Sequence, residues 1–328
     1  MPDRFDRRAA LRLLAMAAGG AAAGRARAQP GRFFDWQPLG NGYVALGGGG
    51  NVLLWPSPFG AVLIDAKLDG LGRTLRREAE AVAGPLAVVV VTHHHADHAG
   101  GIPAVVGDLP VHSQSRGVGR RVVAGRALKE AFAEGIPAGI ERRWDGASPA
   151  VAAVVRADIE AFARAVARLD VQSFAANVTF TVEDELDIGT DFVQLRHSGR
   201  AHTDNDAWAR LAQANVLHTG DLVFNGVHPY IDVDAGGTTI GWQRVLVEVQ
   251  AACDAETIVV PGHGAVTDVE GVRRQWAYFE QVRDAVQGAI DAGRSREEVV
   301  AAPPAFFASL PTSRAAENLG IVFDELGG

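Results

Sequence analysis

The stretch Leu86-Ala87-Val88-Val89-Val90-Val91-Thr92-His93-His94-His95-Ala96-Asp97-His98 decides how the rest of this chain is read. Its first six residues, mostly β-branched and all apolar, predict a strand buried on both faces. The strand then gives out into imidazoles and a carboxylate, ahead of Gly100-Gly101. In extended backbone, residues two apart face the same way, so His93 and His95 can converge on one ion while His94 points to solvent or a supporting partner. A turn at Ala96 then presents Asp97 and His98 to a neighbouring ion. Four potential ligands in six positions would be costly to desolvate without a cation, so a metal site is expected at this strand end.

Upstream, short apolar runs at 43–46, 51–55 and 61–64 are broken by Gly47–Gly50 and by Pro56-Ser57-Pro58, and read as antiparallel strands. A helix is expected from Asp69 to about Val82. Downstream, residues 113–175 are rich in Ala, Arg and Glu. Ser148-Pro149 there suits a helix cap and first position, and Val151, Val155, Ile159, Phe162, Val166 and Leu169 follow at helical spacing. This region reads as a helical insertion packed on the sheet, within a single domain spanning 29–328. Strands are expected again at 177–182, 191–196, 207–211, 215–218 and 257–260, with a helix over 240–253. A last long helix is expected to start at Thr267 with a capping box to Glu270, burying Val272, Trp276, Phe279, Val282, Val286 and Ile290.

Three further polar loops follow apolar runs: Ser198-Gly199-Arg200-Ala201-His202-Thr203-Asp204, His218-Thr219-Gly220-Asp221 and Pro261-Gly262-His263-Gly264. Each alone is a common glycine turn. In this order after the first cluster they are specific, and the chain resembles the metallo-beta-lactamase superfamily. The family's His-x-His-x-Asp-His motif stands here as His93, His95, Asp97 and His98, and its later positions as His202, Asp221 and His263. The resemblance implies an α/β fold, a four-layered αββα sandwich, with metals at the sheets' edges. It also implies a first metal on His93, His95 and His202, a second on Asp97, His98 and His263, and Asp221 bridging them. A carboxylate has two oxygens and can span two cations roughly 3.5–4 Å apart.

Imidazole and carboxylate ligands without thiolate suit two zinc ions, and also iron or manganese. Coordination lowers the pKa of water to about 7, so a hydroxide bridging the metals can attack a carbonyl without a serine or cysteine. Asp97 is the expected catalytic residue, assisting the leaving group. A bridging aspartate resembles the thioesterases and lactonases of glyoxalase II type more than the beta-lactamases proper. The small-molecule substrates implied are esters, thioesters, lactones or beta-lactams. An iron-dependent persulfide dioxygenase-like oxidation and a non-catalytic metal-binding role are the alternatives. The loop 223–230 follows the bridging aspartate and offers His228 and Tyr230 as substrate contacts. Asp65 is expected to support a ligand, whereas His112, His197 and His218 read as structural.

Bulk composition limits partners and location. Arg7-Arg8 ahead of an Ala/Leu/Gly-rich run, with Ala26-Arg27-Ala28 behind it, reads as a twin-arginine export signal over 1–28 and hence a periplasmic protein. Arg12 and the glycines argue against a membrane span. Removing that signal's six arginines and two acids from 31 basic and 39 acidic residues leaves a formal charge of −12. Such a surface repels nucleic acid. The one cysteine, Cys253, cannot form an internal disulfide and is expected to be buried.

Overall fold

A computed structural model describes residues 31–141, 147–310 and 314–327. The export signal expected over 1–28 lies outside them. Seven strands form the first sheet in sequence order: β1 (Asp35–Leu39), β2 (Gly42–Leu46), β3 (Val52–Trp55), β4 (Ala61–Ile64), β5 (Leu86–Val91), β6 (Val111–Gln114) and β7 (Val178–Phe180). The first four pair antiparallel and the last four parallel. The second sheet has the order β13-β11-β10-β9-β8, from β8 (Glu183–Asp187), β9 (Phe192–Arg196), β10 (Trp208–Leu211), β11 (Val216–His218) and β13 (Ile258–Val260). A short pair, β12 (Phe224–Asn225) and β14 (His263–Gly264), closes one end.

Strand alternation sorts the apolar side chains into three cores, and three cores make four layers. On the first sheet, Val44, Leu53, Val62, Ile64, Val88 and Val90 face the second sheet, meeting Val193, Leu195, Ala209, Val216 and Val260. Their neighbours Ala45, Leu54, Leu63, Val89 and Val91 face outward, under the helices α1 (Gly72–Ala83) and α6 (Pro149–Val166). On the far side, Leu217 and Val259 of the second sheet pack beneath α7 (Thr239–Ala251), α8 (Val269–Asp291) and α10 (Ala315–Glu325). Period-two burial on both faces explains why β5 is a continuous apolar run. Between β5 and β6 come two single turns, α2 (Ala96–Ala99) and α3 (Ile102–Val105).

Residues 115–174 form the crossover between the parallel strands β6 and β7: α4 (Ser115–Ala133), the short α5 (Ala138–Glu141) and α6. Ser148 caps α6 by accepting from the Val151 N–H, and Val155, Ile159, Phe162 and Val166 are its buried stripe.

Several expectations need correction. Helix α8 is capped by Asp268, whose carboxylate accepts from the Glu270 N–H, because Thr267 is held in a β-bridge to Val259. Helix α1 begins at Gly72, after Asp69 has been drawn into an ion pair with the buried Arg121. Cys253 is half-buried at the end of α7, its thiol directed at the Val249 carbonyl. Strand β8 and the C-terminal helices α9 (Arg296–Ala301) and α10 had no counterpart in the sequence reading. Among the described residues, no helix is long and apolar enough to cross a membrane.

Candidate metal centre

The loops that follow β5, β11 and β13, and the loop that leads into β10, meet at one end of the sandwich. Backbone ties fix them there. The Ala207 N–H donates to the Thr92 carbonyl at 2.8 Å, joining the histidine cluster to the segment that carries His202. Asn51 joins the first sheet to the His263 loop, donating from its side chain to the carbonyls of Pro261 and Gly264 at 2.9 and 2.8 Å. Two glycines are required by close approach. A Cβ on Gly50 would lie 2.2 Å from the His98 ring, and one on Gly262 would lie 2.0 Å from Asp221 Oδ1.

All seven ligand residues read from the sequence come together here. His93, His95, His202 and Asp221 form one group of converging donor atoms, and Asp97, His98 and His263 form another. Asp221 lies between them: its Oδ1 is 3.0 Å from His98 Nε2, and its Oδ2 is 3.4 Å from both His202 Nε2 and His263 Nε2. Asp97 Oδ2 is 3.1 Å from His263 Nε2.

The hydrogen-bond network assigns the tautomers. His98 Nδ1–H donates to Asp65 Oδ2 at 2.6 Å. Thr92 Oγ1 donates to Asp65 Oδ2 at 3.0 Å, and so accepts from His93 Nδ1–H at 3.1 Å. His202 Nδ1–H donates to the Tyr230 carbonyl at 2.7 Å, and His95 Nε2–H donates to Asp232 Oδ2 at 2.7 Å. In their neutral forms, these four rings therefore each turn a bare nitrogen inward. His95 Nδ1 and His202 Nε2 face each other at 2.9 Å, two lone pairs that repel unless a cation lies against both. His93 Nε2 is likewise buried without a hydrogen-bond partner, and His98 Nε2 and Asp221 Oδ1 lie 3.0 Å apart with nothing else to bond. Buried polar atoms left so are rare, and this set has the chemistry of a divalent-cation cage.

Charge is distributed unevenly across the centre. Burial alone would raise both carboxyls, but His98 and His263 hold Asp97 and Asp221 well below the usual carboxylate range. Burial likewise opposes charge on His263, yet Asp221 and Asp97 push its pKa up to about 9, and the same acids with Asp65 raise His98. Burial and the neighbouring imidazoles instead drive His93 down and His202 down to about 3. The protons drawn onto His98 and His263 are those a cation would displace.

The substrate contacts expected from the 223–230 loop divide. The Tyr230 ring lies 5.6 and 5.8 Å from the rings of His95 and His202, with the Arg314 guanidinium 4.3 Å above it. His228 instead turns into the C-terminal core, with Nδ1 2.9 Å from the Tyr278 hydroxyl and its ring against Phe307. His94 is buried, its Nδ1 accepting from the Asn205 amide at 3.0 Å. His112 pairs with Asp184, His197 with the Asp206 carbonyl, and His218 with the Asn51 carbonyl, away from the cage. Two residues with no motif were missed. Asp232 supports His95, and Phe224 stacks on His263 at 5.1 Å and 11°.

A His/Asp cage at one edge of a four-layer αββα sandwich marks a class of metal-binding α/β protein. More particularly, the chain belongs to the metallo-beta-lactamase superfamily, whose family model matches residues 40–263. It is similar in structure to a metallo-beta-lactamase from Pontibacter korlensis, at 19% identity and a TM-score of 0.50, covering 75% of this chain and 93% of that one. It is also similar to the DIM-1 metallo-beta-lactamase, at 16% identity and a TM-score of 0.52, covering 76% of this chain and 97% of that one. No curated protein matches the sequence.

Proposed function

We propose that this protein is a dinuclear zinc-dependent hydrolase of a carbonyl substrate: an ester, thioester, lactone or beta-lactam. The observation that carries the reading is the pair of bare imidazole nitrogens, His95 Nδ1 and His202 Nε2, facing each other at 2.9 Å beside Asp221. His93, His95 and His202 would hold one ion, Asp97, His98 and His263 the other, and Asp221 would be shared between them. Bound there, the ions supply an acidified water and Lewis acidity toward a carbonyl.

The chain's own residues supply orientation and proton handling. Asp65, Asp232, Thr92 and the Tyr230 carbonyl take the outward N–H groups of His98, His95, His93 and His202, so these four rings are held against rotation. Asp97 and His263 are the more open of the set, with side chains 16% and 24% exposed against 4% or less for the other ligands. Substrate therefore approaches from their side, between Phe224 and the Gly47–Gly50 loop. Asp97, the more exposed of the two carboxylates, is placed to assist the departing group.

Export to the periplasm through the twin-arginine signal belongs to the same proposal, and subcellular fractionation of the full-length protein tests it. The catalytic reading is tested with zinc-loaded protein on a panel of esters, thioesters, lactones and beta-lactams. Turnover of one class, lost on chelation and restored by zinc, is expected. No turnover by protein holding two zinc ions would overturn it.

A further inference from the structure

We propose that Asp232 is a positioning residue that fixes the ligand tautomer of His95, and so sets the affinity of the cage formed by His93, His95 and His202 without acting on the other cage. This rests on the dinuclear reading above. Asp232 is buried, and each of its polar groups is engaged. Oδ2 accepts from His95 Nε2–H at 2.7 Å and Oδ1 from the Ala235 N–H at 2.9 Å. Its own N–H donates to the His202 carbonyl at 3.2 Å, and its carbonyl accepts from the Gly237 N–H at 2.6 Å. One residue thus holds one ligand of the cage by its side chain and the backbone of a second.

The surrounding loop is built for this contact. Thr238 N–H donates to the Ala201 carbonyl, and Asp204 N–H to the Ala235 carbonyl, so the loop is stitched on both sides to the segment carrying His202. Residue 237 must be glycine, since a Cβ would lie 2.5 Å from the His202 carbonyl oxygen and 2.8 Å from that of Asp232. With the Nε2 proton committed to Asp232, only Nδ1 of His95 is left to bind.

Asp65 provides the contrast. It contacts His98 directly and His93 through Thr92, and so touches both cages, whereas Asp232 touches only one. His94, His95 and Asp232 also lie close enough to hold a further ion. The 2.7 Å contact uses the same His95 nitrogen that such an ion would need, so the hydrogen bond and the third ion exclude each other.

The experiment is zinc titration of metal-free wild type, Asp232→Asn and Asp65→Asn against a chromophoric chelator, with near-ultraviolet circular dichroism to follow packing. Two sites are expected in wild type. Asp232→Asn should weaken one of them about 10–100-fold and leave the other within about 2-fold, whereas Asp65→Asn should weaken both. Wild-type affinities in Asp232→Asn, equal weakening of both of its sites, or three zinc ions in wild type would overturn the proposal. Fewer than two zinc ions in wild type would overturn the dinuclear reading itself. Long-range 1H–15N NMR of the wild-type protein reads the ring without any variant. His95 protonated on Nε2 is expected, and Nδ1 protonation would overturn the assignment.

Discussion

The two halves of the metal centre are built differently. The cage of His93, His95 and His202 is sealed, all imidazole, and takes two residues from the first sheet's strand end and one from a loop of the second. The cage of Asp97, His98 and His263 contains a carboxylate, is partly open, and rests against the Gly47–Gly50 loop, where Gly50 touches the His98 ring. The difference teaches a division of labour. Burial and outer hydrogen bonds make the first half a fixed anchor, while exposure leaves the second able to meet substrate and exchange protons.

The largest effect should come from removing the residue the halves share. Asp221→Ala is expected to lower turnover on the order of 10³-fold or more and to weaken both sites, because its two oxygens reach donor atoms of both groups. Steady-state kinetics with metal analysis checks this, and one site left intact would break the symmetry of that role. Asp97→Ala should abolish turnover, by roughly 10²–10⁴-fold, while the anchor site keeps its zinc affinity. Wild-type-like activity in that variant would remove Asp97 from the chemistry.

Chelation should cost stability that grows with the logarithm of the ratio of free zinc to its dissociation constant, about 4 kcal/mol at a thousandfold excess. Thermal melts with and without a chelator measure it, and an unchanged midpoint would contradict a structural contribution from the metal. Gly50→Ala pushes a methyl group into the His98 ring and is expected to weaken the open site about tenfold, sparing the anchor. Equal loss at both sites would blur the distinction.

An effect on stability alone concerns Lys67, fully buried behind the open cage, with Nζ donating to the Ala45 and Gly50 carbonyls at 2.7 Å each. Burial lowers its pKa from 10.5 to about 7, against the opposing pull of Asp65 and Asp97. Between those values the unfolded chain carries the proton and the folded one does not, so this group makes stability rise with pH from about 7 towards 10. Denaturant melts of metal-free protein should show that rise, and Lys67→Met should flatten it.

The same contrast explains what the sequence could reveal. The seven converging residues were legible because metal coordination demands particular side chains at strand ends, and β5 was legible because burial on both faces demands an unbroken apolar run. Asp232 was not, since a supporting carboxylate needs only reach and no fixed spacing, and it lies in a loop with no motif. His228 misled for the related reason that a loop histidine can turn either way, and the pull of Tyr278 and Phe307 was invisible without the fold. Strand β8 hid because Glu-Asp-Glu-Leu-Asp is an edge strand with one apolar residue, formed by pairing with β9 rather than by propensity. The cap of α8 shifted by one residue because Thr267 was taken by a long-range bridge.

Asp221 is the residue through which the two proposed cations would be joined. Anomalous diffraction at the zinc edge from crystals of the zinc-loaded protein tests this most directly. Two peaks are expected, one among His93, His95 and His202 and one among Asp97, His98 and His263, with an Asp221 oxygen toward each. A single peak, or two peaks with Asp221 directed at neither, would contradict it.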